Sequence, residues 1–146
     1  MDTKQVVVGV DGSEQSLDAL AYACAEAARW GGALRVVAAF ESAGLFGDRY
    51  GVPIPVSDQT IADRLSEETN ALVRKALESF AEPPATQVAV MAGRASAVLV
   101  AESERADLLV IGHRGHGGVA GVVLGSVALH CVSHAHCPVT VVRRAA

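Results

Sequence analysis

The sequence predicts an α/β protein built on a doubly wound, five-stranded parallel sheet in the order 3-2-1-4-5, with helices on both faces. Short apolar segments alternate along the chain with longer segments of helical periodicity, which is typical of a parallel sheet with crossover helices. Gln5–Asp11 and Leu108–Ile111 are the most apolar segments and are expected to be central. If they are neighbours, the connections turn in opposite directions from that point, which gives this strand order.

Local signals set the limits of each element. The glycine pair Gly31-Gly32 and the proline pair Pro83-Pro84 end the first two helices. The strands are expected at Gln5–Asp11, Leu34–Phe40, Thr86–Met91, Leu108–Ile111 and Pro138–Arg143. The helices are expected from Ser13 or Ser16 to Trp30, from Asp58 or Thr60 to Phe80, from Ser96 to Glu104, and from Ser126 to His134, with serine caps at Ser13 or Ser16, Ser96 and Ser126. The predicted apolar stripe of the first helix comprises Leu17, Leu20, Ala21, Cys24, Ala27 and Ala28.

Bulk composition narrows the class of protein. A chain of 146 residues fits one domain, residues 1–146, with a substantial core. The formal net charge of −4 argues against nucleic acid or an anionic membrane as the main partner. Three cysteines without regular spacing predict reduced thiols, and no signal-peptide pattern precedes the first strand. These features predict a cytoplasmic protein.

The most informative stretch runs from Leu108 to Ser126, where a buried strand is followed by a glycine-rich loop and a helix start. Six glycines lie between Ile111 and Ser126. Backbone N–H groups of such a loop and helix start form an anion site, for which phosphate is the natural ligand. The loop lacks the Gly-Lys-Ser/Thr end of a P-loop. Residues 115–120 fit a dinucleotide glycine pattern, but no acidic residue follows at the required distance. A surface loop without a ligand is the alternative.

Other side chains suggest chemistry more weakly. Asp11 emerges where the sheet topology switches, and it is either a metal or ribose ligand or a turn residue. Arg114 either neutralises phosphate or is solvated, and Arg94 is expected to be solvent-exposed. A zinc hypothesis rests on His130, Cys131, His134, His136 and Cys137. It lacks a second spaced ligand pair, so a structural explanation is favoured.

Several segments together resemble the universal stress protein family. Gly112-x2-Gly115-x9-Gly125-Ser126 is similar to that family's nucleotide-binding signature G-x2-G-x9-G-[ST]. Residues 8–13 resemble its first strand, and residues 106–112 and 136–142 resemble its fourth and fifth strands. The resemblance covers essentially the whole chain and implies an adenine nucleotide alpha hydrolase-like fold.

The resemblance also implies an ATP site, with Asp11 near the ribose and phosphates and available to Mg²⁺. Ala39 and Phe40 would lie beside adenine, and the glycine loop and helix start would hold the ribose and phosphates. The nucleotide-binding residues expected on this basis are Val10, Asp11, Gly12, Ser13, Ala39, Phe40, Gly93, Gly112, Arg114, Gly115, Gly125, Ser126 and Val127. The family commonly dimerises through its last strand, which here implies a homodimer paired along Val139–Val142.

Three functions follow as expectations. The favoured one is an ATP-dependent regulatory protein of the stress response, in which ATP orders the segment 41–58 and the glycine loop. The second is a weak ATPase or phosphotransferase, or a protein that binds AMP or cyclic AMP. The third is a nucleotide-free dimeric scaffold. No catalytic triad or cysteine–histidine pair can be argued from spacing, so a dedicated catalyst is not expected.

Overall fold

The computed structural model describes residues 2–42, 57–115 and 124–143. All strand pairs are parallel, and the strand order is β3-β2-β1-β4-β5, which confirms the predicted topology. The strands are β1 (Gln5–Gly9), β2 (Ala33–Phe40), β3 (Ala85–Ala92), β4 (Leu108–Gly112) and β5 (Val139–Val142). The described helices are α1 (Glu14–Trp30), α2 (Asp58–Leu77), α3 (Ala95–Ser103) and α4 (Ser126–His134).

The centre of the sheet is formed by β1 and β4, the two most apolar strands. Val6 is in register with Leu34 of β2 and with Leu108 of β4. Val6, Val8 and Val110 are fully buried. Parallel strands covered on both faces lose alternation and become continuously apolar. Because β1 and β4 are parallel neighbours, their carboxyl ends lie side by side at the centre of the sheet.

Two separate clusters of buried side chains cover the two faces. On one face, α1 and α2 pack over the side chains of Val6, Val8 and Val110. On the other, α3 and α4 pack over Val7 and Leu109. Successive strand residues point to opposite faces, so each central strand contributes to both clusters.

The helix α1 begins at a serine cap, but its buried face differs from the predicted one. Ser13 is the N-cap, and its hydroxyl accepts a hydrogen bond from the Ser16 N–H. Leu17 and Ala21 are exposed, contrary to the prediction. The helix turns its smaller residues toward the sheet instead, because alanines let it approach closely. Its buried residues are Ser16, Ala19, Leu20, Ala23, Cys24 and Ala27.

The predicted caps at Ser96 and Ser126 are wrong. Arg94 and Gly125 precede the first helical residues of α3 and α4, and neither helix has a side-chain cap bond within the described part of the chain. Gly125 is held in extended conformation, and its N–H donates to the His113 carbonyl at 2.7 Å. This bond fixes the helix start one residue earlier than the serine rule predicts, and Ser126 becomes the first helical residue.

Several smaller boundaries also differ from the prediction. The first strand ends at Gly9 and not Asp11, because the chain already turns toward the α1 cap. The second helix starts at Asp58, one of the two predicted starts, after a Ser57 cap, but it ends at Leu77 and not at Phe80. The long segment predicted to be irregular, 41–58, and the glycine loop lie mostly outside the described residues. Among the described helices, none combines the length and apolarity that a membrane crossing requires.

Candidate functional site

A cleft of about 530 Å³ opens at the carboxyl ends of β1 and β4, where the topology switches. It receives residues from both central strands, from the end of β2 and from the first turns of α3 and α4. This is the position where open α/β sheets bind ligands, and the volume is in the range of small-molecule pockets. It is lined by Gly9, Val10, Asp11, Ser16, Val37, Ala39, Ala95, Leu99, Ile111, Gly112, Arg114, Gly115, Gly125, Ser126, Val127 and Ala128.

Most of the predicted site residues line this cleft. They are Val10, Asp11, Ala39, Gly112, Arg114, Gly115, Gly125, Ser126 and Val127. Gly12, Ser13, Phe40 and Gly93 do not belong to its lining. Gly12 and Gly93 occupy turns with φ of 84° and 142°, and Ser13 caps α1. The Phe40 carbonyl accepts a hydrogen bond from the Gly93 N–H at 2.8 Å, so the two residues link the carboxyl ends of β2 and β3.

Asp11 joins the α1 start to the loop that follows β4. Its Oδ1 accepts hydrogen bonds from the Ser13 N–H at 2.9 Å and from the Ser13 hydroxyl at 2.5 Å. Its own N–H donates to the Ser16 hydroxyl at 3.2 Å. The residue therefore has the turn role that the sequence suggested. It also lines the cleft, and its Oδ2 faces Gly115 from across the topological switch.

The glycines of the signature serve different purposes. A methyl group at Gly115 would lie 2.5 Å from Asp11 Oδ2, and one at Gly125 would lie 3.3 Å from the Arg114 backbone. Because these two positions lack a side chain, Gly115 can approach Asp11 closely, and Gly125 can approach the Arg114 backbone, at the cleft. A methyl group at Gly112 would instead lie 2.8 Å from the Gln15 carbonyl oxygen. Gly112 is therefore required for packing of β4 against α1 as well as for lining the cleft.

The polar end of the cleft favours an anion. Arg114 supplies a half-buried cationic side chain. The first turn of α4, which starts at Ser126, points its N–H groups and the positive end of the helix dipole toward this end. The bond between Gly125 and His113 closes the base of the glycine loop. Such a combination of helix start, loop backbone and arginine is suited to phosphate.

Sequence reasoning missed the apolar wall of the cleft. Leu99 of α3 packs over Gly9, where a methyl group would lie 2.7 Å from Leu99 Cδ1. Leu99 lies inside the helix predicted from Ser96 to Glu104, and the prediction assigned it no role. Ser16 was considered only as a cap. The lining residues that the prediction omitted are Gly9, Ser16, Val37, Ala95, Leu99, Ile111 and Ala128.

The histidines and cysteines near the C-terminus do not gather into one cluster. In the ranges that the structure describes, no three His, Cys, Asp or Glu side chains are grouped to hold a metal ion. Cys131 is buried in the core between α3, α4 and the sheet. Burial raises the pKa of its thiol to about 11, and it does the same for Cys24 on the opposite face. Both thiols are therefore neutral at physiological pH.

The chain is similar to known proteins over nearly its whole length. The sequence matches the universal stress protein family over residues 2–143. The chain belongs to this family. It is 36% identical to a universal stress protein of Thermus aquaticus over 142 residues, covering 96% of this chain and 98% of that one. It is 31% identical to a universal stress protein of Methanocaldococcus jannaschii, covering 97% of this chain and 82% of that protein.

Solved structures of family members share the fold. The universal stress protein UspA of Lactobacillus plantarum superposes with a TM-score of 0.71 at 18% identity, covering 98% of this chain and 99% of that one. A universal stress protein in complex with cAMP superposes with a TM-score of 0.68 at 26% identity, covering 99% and 100%. One from Archaeoglobus fulgidus in complex with dAMP superposes with a TM-score of 0.65 at 21% identity, covering 97% and 98%.

Proposed function

We propose that this universal stress protein binds ATP, together with Mg²⁺, in the cleft between β1 and β4, and that nucleotide occupancy regulates a stress response. One observation carries the proposal. Asp11, two residues beyond β1, faces Gly115, which follows β4, and both line one cleft with Gly125 and Ser126. Residues far apart in sequence thus build one site with an anion-binding end and an apolar wall.

The two ends of the cleft suit the two ends of a nucleotide. Val37, Ala39 and Leu99 form an apolar surface against which a purine ring can pack. Arg114 and the α4 start suit the phosphates. Because Phe40 lies outside the lining, we assign the adenine contact to Ala39 and not to Phe40.

Asp11 suits a hard cation such as Mg²⁺. Among the described residues, its carboxylate is the only acidic group that lines the cleft. Mg²⁺ is commonly held by one or two carboxylates together with phosphate oxygens and water. The ion would neutralise phosphate charge, and Asp11 would hold it while Ser13 fixes the carboxylate orientation.

Calorimetric titration of the nucleotide-stripped protein with ATP, with and without Mg²⁺, tests the proposal. We expect one site per chain, tighter binding with Mg²⁺, and loss of that Mg²⁺ effect in Asp11→Asn. Gly125→Ala places a methyl group against the Arg114 backbone, and we expect it to weaken ATP binding about tenfold or more, since hydrogen bonds to charged groups contribute roughly 1.5–3 kcal/mol each.

Gly31→Ala is the matched glycine control. Gly31 has φ of 62° at the end of α1, and no atom of the residues that the structure describes lies within 4 Å of an added methyl group. It is expected to lower stability by about 1 kcal/mol without changing ATP affinity. If ATP, cAMP and dAMP all gave no binding heat and no shift in melting temperature, the proposal would be contradicted, and the nucleotide-free dimeric scaffold would be the remaining function.

The same titration separates the remaining alternatives. Tighter binding of cAMP than of ATP would favour the cyclic nucleotide, which one relative of 26% identity binds. Phosphate release at a steady rate, lost in Asp11→Asn, would support weak ATP hydrolysis, since a phosphate cradle with Mg²⁺ supplies part of the required electrostatics.

We also propose a homodimer that pairs along β5. The strand is at the sheet edge, and its four residues are half-buried. The Leu109 and His113 N–H groups donate to the Pro138 and Val142 carbonyls, so the parallel ladder directs the Val141 N–H away from β4. Val141→Pro should give a folded monomer by sedimentation, whereas Thr140→Pro should destabilise the sheet itself. A Val141→Pro dimer would contradict the proposal.

A further inference from the structure

The outer side of α4 carries two histidines one helical turn apart. The side chains of His130 and His134 are both exposed, and their ring centroids lie 4.5 Å apart with the ring planes tilted by 44°. Residues at i and i+4 share one helix face. Cys131, which lies between them in sequence, is fully buried on the core side. The pair is thus presented to solvent, away from the residues with which α4 lines the cleft.

We propose that His130 and His134 form a chelating site for a divalent transition-metal ion of the nickel, copper and zinc class. Neutral imidazole is a preferred ligand of these ions. Metal–nitrogen bonds of about 2.0–2.1 Å place two neighbouring ligand nitrogens about 3 Å apart. Rings that already lie side by side reach this separation by rotation of their own side chains, without movement of the helix backbone.

The position of the pair on the helix also favours a cation. His134 is in the last turn of α4, where the negative end of the helix dipole stabilises positive charge. The i, i+4 histidine spacing is the one that places two metal ligands on a helix face in zinc proteases. Here position 131 is a buried cysteine and not the glutamate of that motif, so the site binds metal without the general base for hydrolysis.

The ligand count defines the type of site. Within residues 2–42, 57–115 and 124–143, no third His, Cys, Asp or Glu completes a cluster with the pair. Among these residues the pair supplies both protein ligands, so we expect an open site with water in the remaining coordination positions, unlike the closed four-ligand sites of structural zinc. Two nitrogen ligands also select against Mg²⁺, which prefers oxygen. This separates the pair from the ion proposed at Asp11.

Titration of the untagged, full-length protein with NiCl₂ tests the site. Nickel is the probe because it does not oxidise the partly exposed thiol of Cys137. We expect one nickel ion per chain. His130→Ala and His134→Ala should each lower the nickel affinity by about tenfold or more, because chelation makes the second contact intramolecular. The affinity should rise from Co²⁺ to Ni²⁺ to Cu²⁺ and fall again at Zn²⁺.

His136→Ala is the matched control. His136 is also exposed, lies two residues beyond α4, and faces Glu104 at 3.7 Å. Its removal should change nickel affinity by no more than about twofold, as for independent sites. No nickel binding to the unaltered protein, unchanged affinity in both paired variants, or an equal loss in His136→Ala would overturn the proposal. The result does not depend on whether the cleft binds nucleotide.

Discussion

The two faces of the sheet are built differently. On one face, α1 and α2 are 17 and 20 residues long, and serine hydroxyls cap both, Ser13 for α1 and Ser57 for α2. On the other, α3 and α4 have nine residues each and begin without a side-chain cap bond in the described part of the chain. Both short helices place their first residues, Ala95 and Ser126, in the cleft.

The difference in capping suggests that the two pairs of helices have different tasks, one in stability and one in ligand binding. Serine caps satisfy the N–H groups of a helix start internally, which strengthens the helix but leaves fewer donors for a ligand. An uncapped start keeps its N–H groups and dipole for an anion. We infer that the serine-capped starts of α1 and α2 serve mainly stability, and that the starts of α3 and α4, which line the cleft without a described side-chain cap bond, keep N–H groups available to a ligand.

The largest expected effect is on the α1/α2 face. Leu20 is 1% exposed in the cluster between α1 and the sheet. Leu20→Ala should lower the free energy of unfolding by roughly 2–5 kcal/mol, because a buried leucine leaves a cavity. Since Leu20 is outside the cleft, ATP affinity should stay unchanged. Urea unfolding and calorimetry measure the two quantities, and a changed affinity would contradict the separation of the faces.

Leu99→Ala makes the corresponding change on the α3/α4 face. Leu99 is 5% exposed, packs over Gly9 and lines the cleft. We expect a loss of about 2–3 kcal/mol in stability, at the lower end for buried leucines, because the cavity opens into the cleft. ATP binding should weaken as well. A stability loss with unaltered ATP affinity would remove Leu99 from the binding wall.

Two serine variants test the comparison between capped and uncapped helix starts, with smaller expected changes in stability. The Ser57 hydroxyl accepts a hydrogen bond from the Thr60 N–H at 3.1 Å, and Ser57→Ala should cost about 1 kcal/mol in stability. Ser126 is exposed and does not cap α4, so Ser126→Ala should change stability by less than about 0.5 kcal/mol. Only Ser126→Ala should weaken ATP binding. Thermal melts with and without ATP distinguish the two variants.

The sequence was sufficient for the sheet but not for the packing around it. Apolar runs and alternating element types predicted all five strands and their order, because buried parallel strands must be continuously apolar. The α1 stripe was harder to predict. Alanines lie all around that helix, and helical periodicity alone does not show that Leu17 and Ala21 face solvent while Ala19 and Ala23 face the sheet.

For the candidate site, topology was more informative than residue type. The switch point correctly placed Asp11 beside the Gly115 end of the loop. The serine rule failed at Ser126 because a tertiary bond from Gly125 to His113 sets the helix start. Contact between Leu99 and Gly9 depends on the approach of α3 to β1, and no local pattern encodes that approach. The roles of the site residues themselves remain predictions.

The buried thiols should show no difference between the faces. Burial raises the pKa of the Cys24 thiol, on the core side of α1, and of the Cys131 thiol, on the core side of α4, from 9.0 to about 11. At pH 8 the thiolate, the form that reacts, is then about one part in a thousand of each. Cys137 is partly exposed, so a disulfide reagent should label it first and the buried pair only on unfolding.

The raised thiol pKa values also make stability depend on alkaline pH. Because each thiol has a higher pKa in the folded than in the unfolded chain, its contribution to stability is fully present below pH 9 and is lost as the pH rises through 11. Cys24→Ala and Cys131→Ala should therefore flatten the alkaline fall in stability equally, and a larger effect of either one would show that burial does not raise the pKa of the two thiols to the same extent.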